Sequence, residues 1–383
     1  MNDTPRRPLK VLQVLEPSGG GSGRHFLDLC RALAARGHWV TAIYSPLRAE
    51  ERFVEELKSL SLRAVHSVPM TRSPSPSDLK AWWAINRILR REGPFEIIHG
   101  HSSKAGALTR MRMPGAHRPR VYTPHAFRTM DPTLGPRGRQ IFGSIESLFG
   151  KYLTDGLICV SDDEHEHARQ DLQIPERVLH TVVNGAASPP SGAREDMRAR
   201  LGVKPDAFVF GFVGRLSEQK APERLVGAFS RIAADVPRAE LAMIGFGPLE
   251  DAVCQQAAAS GFADRIHLTS TIPGPDAMQA FDALVMPSRY EAMSYVMLEA
   301  AASGLPMVLS NVGGASTVLD NGDNGFIVPN TDDVTELAAA MRTLAEPARY
   351  AEMKASADTR KHLFSLEKMV EETERLYLEL AGS

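Results

Sequence analysis

The chain has 383 residues, of which 43% are hydrophobic and 23% charged, with a formal net charge of −2. Such a composition fits a soluble globular protein with room for two domains and excludes disordered, collagenous and disulfide-built chains. The opening MNDTPRRPLK lacks the apolar core of a signal peptide, and no apolar run reaches the roughly 18 residues of a membrane span, so a cytoplasmic protein is expected.

Short apolar runs alternate with helix-length amphipathic stretches, the pattern of parallel sheets covered by helices. The predicted strands of the first half are KVLQVL (10–15), WVTAIY (39–44), EIIHG (96–100), RVYT (120–123), GLICV (156–160) and VLHTVV (178–183). ASPPSGARED (187–196) breaks the pattern with Pro, Gly and Ser and reads as a linker. A second series follows: FVFGFVG (208–214), LAMIG (241–245), RIHLT (265–269), ALVMPS (283–288), PMVLS (306–310) and GFIVP (325–329). Two such arrays predict an α/β chain of two Rossmann-like domains facing each other across a cleft. FSLEKMVEETERLYLEL (364–380) reads as a final helix, which gives expected boundaries of 1–186, 187–363 and 364–383.

Cys30, Cys159 and Cys254 are far apart and lie in apolar-rich stretches, so they are expected to be reduced and buried. Charge is unevenly shared. Residues 1–185 hold 26 Lys+Arg against 19 Asp+Glu, and the remainder 18 against 27. Residues 101–150 alone carry eight basic and two acidic side chains. That stretch suits an anionic membrane or substrate as well as an ordinary solvated surface. Nucleic acid is not an expected partner, because the second half is acidic and no binding module is recognisable.

In parallel sheets ligands bind beyond the C-terminal strand ends, and the distinctive residues fall there. Gly19, Gly20 and Gly21 follow the first strand, but the third glycine of a dinucleotide fingerprint would fall at Arg24 and no acid ends the second strand. NAD(P) is therefore not expected, although the glycines allow a backbone approach to an anionic group. His99 and His101 end the third predicted strand and His125 follows the fourth. The first two could point the same way, yet no ligand motif accompanies them, and no metal is expected. In FVGRLSEQKAPERLVGAF, Arg215 and Lys220 follow a strand and suit a diphosphate, one as a planar fork of donors and the other as a mobile point charge. Such cations can steady a departing pyrophosphate without a metal ion.

SRYEAMSYVMLEAAASGLP (288–306) keeps two glutamates, Glu291 and Glu299, in an otherwise apolar segment. On one helix their side chains would stand roughly 80° apart. A better fit puts Glu291 in a loop, Ser294 at a helix N-cap and Glu299 inside a helix that stops at Gly304 and Pro306. The two carboxylates could then converge on one ligand, or each be simply solvated.

Taken together, VGRLSEQK, IGFGPLE, MPSRYEAMSYVMLEAAASGLPMVLSNVGG and NGFIVP resemble the family 4 retaining glycosyltransferases of GT-B fold. TPHAF, VVNGA and the closing FSLEKMVEETERLY fit the same pattern. The resemblance implies a nucleotide-sugar donor held mainly by the second domain, with no other cofactor and no metal. Glu299 would grip the ribose hydroxyls, Glu291 would sit beside the transferring sugar, and Arg215 and Lys220 would hold the diphosphate. Gly20 and Gly21 would approach the phosphate and acceptor region, and His125 would touch the sugar. Gly214, Gly247, Met293, Ser294 and Tyr295 are the further donor-binding candidates. UDP is expected over GDP as the carrier, by family frequency. The acceptor would be a glycan or a polyprenyl-diphosphate-linked sugar in cell-envelope or exopolysaccharide synthesis. The work would be done at the inner face of the membrane, with peripheral contact through basic residues 101–140. Two departures stand out: Ala292–Met293–Ser294 replaces the usual Gly-Phe-Gly, and Thr317 stands where many relatives have Glu. The alternatives are a nucleotide-sugar 2-epimerase of the same fold and a catalytically silent sugar-nucleotide-binding subunit.

Overall fold

A computed structural model describes residues 7–112, 118–131, 133–187, 194–291 and 293–382. The chain divides into two units, Met1–Asn184 with Met369–Ser383, and Gly185–Lys368. In the first unit seven strands form one parallel sheet: β1 (Lys10–Leu15), β2 (Trp39–Tyr44), β3 (Ala64–Ser67), β4 (Ile97–His101), β5 (Arg120–Thr123), β6 (Gly156–Cys159) and β7 (Leu179–Thr181). Their order is β3-β2-β1-β4-β5-β6-β7. Helices cover both faces, so the central strands read as near-continuous apolar runs; β1 is buried from Val11 to Leu15. Leu12, Val14, Ile43, Ile85, Ile98 and Leu108 share one core cluster.

Strand β3 has no counterpart in the sequence reading. AVHS is a half-exposed edge strand without an apolar run, so periodicity does not reveal it. Strand β4 extends through His101, which makes that histidine a buried strand residue.

The second unit holds a parallel sheet of β8 (Phe208–Val213), β9 (Ala239–Ile244), β10 (Ile266–Thr269), β11 (Ala283–Met286), β12 (Met307–Ser310) and β13 (Gly325–Val328). The order is β10-β9-β8-β11-β12-β13. Phe208, Phe210, Phe212, Phe229 and Leu241 anchor its core. The helix Arg194–Leu201 begins inside the predicted linker, with Glu195 and Asp196 in its first turn, where they favour the helix dipole. Residues 188–193 of that linker lie outside the described residues.

In each sheet the strand order reverses once, between β1 and β4 and between β8 and β11, and the loops beyond those strand ends diverge. The final helix, Leu366–Gly382, buries Met369, Val370, Thr373, Glu374, Leu376 and Tyr377. Glu374 accepts from Arg36 Nη1 at 2.7 Å and pairs with His38 Nε2 at 2.8 Å, all within the first unit. Cys30 and Cys159 are buried as expected, whereas Cys254 is exposed on the helix Glu250–Ala259. Among the described residues no helix is long and apolar enough to cross a membrane.

Candidate functional site

Strands β8 and β11 are neighbours, so the loops that leave them meet at one sheet edge. Backbone groups strap them together: Arg289 N–H donates to the Gln219 carbonyl at 2.8 Å. Arg289 Nη1 reaches the Glu218 carbonyl at 2.7 Å, and Gln219 Nε2 reaches that of Tyr290 at 3.1 Å. On this frame Lys220 Nζ donates to Glu291 Oε1 at 2.6 Å, their side chains only 15% and 7% exposed. Two residues read from separate motifs are thus one ion pair. Each keeps the other from standing as an uncompensated, half-buried charge. Arg215 differs. It is exposed and makes no hydrogen bond or ion pair with a described residue, so its donor fork is free for an anion.

Glycines let the neighbouring β9 loop lie directly on this one. Gly245 has φ +151°, and a Cβ there would stand 1.9 Å from the Gly214 carbonyl oxygen. A Cβ on Gly247 would meet the Leu216 oxygen at 2.4 Å. Gly214 N–H donates to the Ile244 carbonyl at 3.0 Å, which fixes the turn that carries Arg215.

Glu291 lies in a loop and Glu299 in the helix Tyr295–Ala302, as the spacing suggests, and both are half-buried. Gly304, with φ +65°, ends that helix, and Leu305 N–H closes it on the Ala300 carbonyl at 2.9 Å. Ser294 holds the N-cap position with an extended backbone, but its side chain accepts no helix N–H, so the expected side-chain cap is not made. Met293 and Tyr295 flank it, half-buried. Ala292 lies outside the described residues, so the departure from Gly-Phe-Gly is described only at Met293 and Ser294. Thr317 Oγ1 is buried without a hydrogen-bond partner among the described residues.

In the first unit Gly20 and Gly21 open the helix Gly20–Ala35 and are exposed. Gly20 takes φ +59°, and its N–H donates to Glu50 Oε1 at 3.0 Å. A side-chain carboxylate therefore occupies the donor that was expected to face an anionic ligand. His125 and Ala126 both have positive φ, 54° and 80°. Buried Glu164 braces this turn, accepting Ala126 N–H at 2.6 Å on one oxygen and Val160 N–H at 2.8 Å on the other. Burial pushes the Glu164 carboxyl up to about 7, against the lowering effect of those two N–H groups.

His99 and His101 do point the same way, with ring centroids 3.9 Å apart. They join a buried hydrogen-bond chain. His101 Nδ1 lies 3.1 Å from His125 Nε2, and His101 Nε2 lies 2.7 Å from Gln13 Oε1. Gln13 Nε2 donates to the Tyr377 hydroxyl at 2.9 Å, that hydroxyl meets His99 Nδ1, and His99 Nε2 reaches Thr123 Oγ1 at 2.8 Å. Gln13 Oε1 can only accept, so His101 carries its proton on Nε2 and accepts from His125 on Nδ1. His25 joins the cluster, its ring centroid 4.7 Å from that of His125 and 5.4 Å from that of His101. Burial lowers His25 to about 4, and burial followed by neighbouring imidazoles holds His99 and His101 well below the usual histidine value. Sequence reasoning missed His25, Gln13, Glu164 and Tyr377. The one available signal was a glutamine inside an otherwise apolar first strand.

The basic stretch is largely consumed internally. Lys104 pairs with Asp78 at 2.5 Å, Arg112 with Asp155 at 2.6 Å and Arg128 with Asp131 at 2.5 Å. Arg120 is buried, and fully buried Arg110 pairs with Glu146 at 2.8 Å and lies 3.8 Å over the Tyr122 ring. Arg118, Arg137 and Arg139 stay exposed, so 101–140 does not form the broad cationic surface its composition suggested. Residues 113–117 and 132 of that stretch lie outside the described residues.

Comparison with known proteins gives two family matches, Glycosyltransferase Family 4 over residues 19–187 and Glycosyl transferases group 1 over residues 207–347. A UDP-Gal:alpha-D-GlcNAc-diphosphoundecaprenol alpha-1,3-galactosyltransferase of Escherichia coli is 27% identical over 312 residues, 79% of this chain and 80% of that one. A D-inositol 3-phosphate glycosyltransferase of Stackebrandtia nassauensis is 27% identical over 394 residues, 92% of this chain and 87% of that one. Among solved structures, Anabaena Alr3699/HepE in complex with UDP and glucose superposes with a TM-score of 0.76 at 19% identity, covering 96% of this chain and 98% of that one. WaaG, a glycosyltransferase of lipopolysaccharide biosynthesis, gives 0.67 at 18% identity, covering 96% of this chain and 98% of that one. The chain belongs to the family 4 glycosyltransferases and has their GT-B fold of two Rossmann-like domains.

Proposed function

We propose that the protein is a retaining hexosyltransferase that uses a UDP-sugar and extends a polyprenyl-diphosphate-linked glycan of the cell envelope, at the inner face of the membrane. The observation that carries this reading is the Lys220–Glu291 pair beside the unengaged Arg215 at the β8/β11 edge, with Glu299 in the helix that follows. Two cations there suit a diphosphate, and two carboxylates suit the hydroxyls of a ribose and a hexose. The Escherichia coli relative, whose name specifies a UDP-linked donor and a diphosphoundecaprenol acceptor, supports the choice of both substrates.

In the proposed reaction the acceptor hydroxyl attacks the anomeric carbon on the face from which the diphosphate leaves. The new bond joins acceptor oxygen to anomeric carbon, and the bond to the diphosphate oxygen breaks. The acceptor proton passes to that departing oxygen, while Arg215 and Lys220 hold its developing charge and no metal ion takes part. Lys220 can serve both partners, since its ammonium has three donors and Glu291 uses one. Glu291 orients Lys220 and faces the sugar; Glu299 holds the ribose. His125 and Gly20 keep the roles that the family resemblance implies, a sugar contact and a backbone N–H that Glu50 occupies in this structure.

Membrane contact fits a different surface from residues 101–140 as a whole. The helix Pro136–Tyr152 exposes Ile141, Ile145, Leu148 and Tyr152 along one stripe, with exposed Arg137 and Arg139 in its first turn. An apolar stripe with flanking cations suits an anionic lipid interface.

A panel of UDP-, GDP-, ADP- and CMP-sugars, with and without membrane-lipid extract and followed by nucleotide release, tests the reading. Release of UDP that rises with lipid extract is expected. A donor converted without any acceptor would favour the epimerase, and binding without release in every arm would favour a silent subunit.

A further inference from the structure

The three histidines His25, His101 and His125 come from a helix, a strand end and a loop. One ring nitrogen from each lies within 4.8 Å of the others. Two of these, His101 Nδ1 and His125 Nε2, are already 3.1 Å apart. That is close to the roughly 3.3 Å between two ligands of a tetrahedral ion with metal–nitrogen bonds of about 2.0–2.1 Å. His25 supplies a separate observation. It is 2% exposed, yet among the described residues neither of its ring nitrogens meets a partner at full hydrogen-bond geometry. Asn184, the one polar side chain that favours its charged form, leaves its own Oδ1 equally unpartnered. A buried imidazole must place an N–H and a lone pair somewhere; Asn184 is the side chain set to meet His25 on one side, and one His25 ring nitrogen lies within 4.8 Å of a nitrogen of His101 and of His125.

We propose that His25, His101 and His125 together bind one divalent transition ion of the zinc class. The far nitrogen of His101 is already backed by Gln13 Oε1, the carbonyl support that metal-bound histidines commonly have, and Gln13 is held in turn by Tyr377. Three imidazoles without a carboxylate select zinc, cobalt, nickel or copper over magnesium and calcium. His125 is half-exposed, so it is the member of the cluster nearest to solvent.

The proposal does not rest on glycosyl transfer. It does meet that reading at His125: an ion that holds this ring withdraws it from the sugar, so zinc should inhibit transfer and a chelator restore it. The direct test uses chelator-stripped full-length protein titrated with Co²⁺ by visible absorption, and with Zn²⁺ in competition with a colorimetric chelator. One ion per chain with the intense visible bands of tetrahedral cobalt is expected, lost in His25→Gln and weakened about tenfold to a hundredfold in Gln13→Ala, which keeps all three ligands. Circular dichroism checks that each variant folds, and His125→Gln replaces any that does not. No binding by the wild type at micromolar metal, or equal binding by the ligand variant, overturns the proposal. Metal binding without inhibition would retain the site and count against His125 as a sugar contact.

Discussion

Lys220 and Glu291 meet at 2.6 Å, so each changes the other's work, and their variants should not behave alike. Under the proposed function Lys220→Ala removes a diphosphate contact and is expected to lower kcat/KM for the donor by about tenfold to a hundredfold, on the scale of a charged hydrogen bond. Glu291→Gln leaves the ammonium in place but takes a charge from beside the proposed sugar position, so it should lower kcat with little change in UDP affinity. Steady-state kinetics with product-inhibition constants separates the two. Equal loss of UDP affinity in both would contradict the division of roles. A second residue-scale prediction concerns Glu164, whose carboxyl is raised by burial to about 7 from an ordinary value of 4.5. The folded state holds this proton more tightly than the unfolded chain. Its stabilising contribution is therefore full below about 4.5 and is lost as pH rises through about 7. Glu164→Gln should be less stable at acidic pH, and the wild type should lose its advantage as pH is raised from 5 to 8. Parallel melting-temperature profiles would refute this. At this scale the sequence exposed Arg215 with Lys220 and Glu291 with Glu299 because each of these two motifs is compact. It hid Glu164 and His25, whose partners lie on distant segments.

Elements were legible wherever both faces of a strand are buried. KVLQVL, WVTAIY and FVFGFV are mostly apolar and match their strands, whereas AVHS at the sheet edge carries no such mark. The closing helix was visible from its spaced apolar residues, but the partners of its Tyr377 and Glu374 were not, since Gln13 and His38 are more than 330 residues away in sequence. Charge counting misled at the helix Ser102–Arg110, because a fully buried arginine looks like a surface one in composition. Arg110 depends on Glu146, which also accepts from the Tyr122 hydroxyl at 3.1 Å. Glu146→Ala leaves that cation without a counter-charge and is expected to cost about 3–5 kcal/mol. Denaturant unfolding measures it; a cost under about 1 kcal/mol would mean that water or another carboxylate serves Arg110.

Across the whole molecule, the two sheets with their single reversals were readable from the alternation of strands and helices, and each site lies at the point where one sheet changes direction. The surface proposed to meet lipid was not readable, since it depends on which arginines turn inward. If the stripe Ile141, Ile145, Leu148 and Tyr152 is that surface, wild-type protein should sediment with anionic liposomes more than with neutral ones. Ile145→Glu with Leu148→Glu should abolish the difference while nucleotide release in solution persists. Unchanged sedimentation of the double variant would remove this helix from the account. Retention of configuration is likewise a property of the complete reaction, and NMR of the product's anomeric proton should show the same anomer as the donor.

The central claim is that the β8/β11 edge of the second unit holds a UDP-sugar with Glu299 on its ribose. Calorimetric titration of UDP into wild type and Glu299→Gln tests it most directly, because neither acceptor nor membrane is needed. The account predicts saturable binding by the wild type and about tenfold to a hundredfold weaker binding by the variant, with the fold unchanged. Equal affinity for both proteins, or no binding of UDP by the wild type, would contradict it.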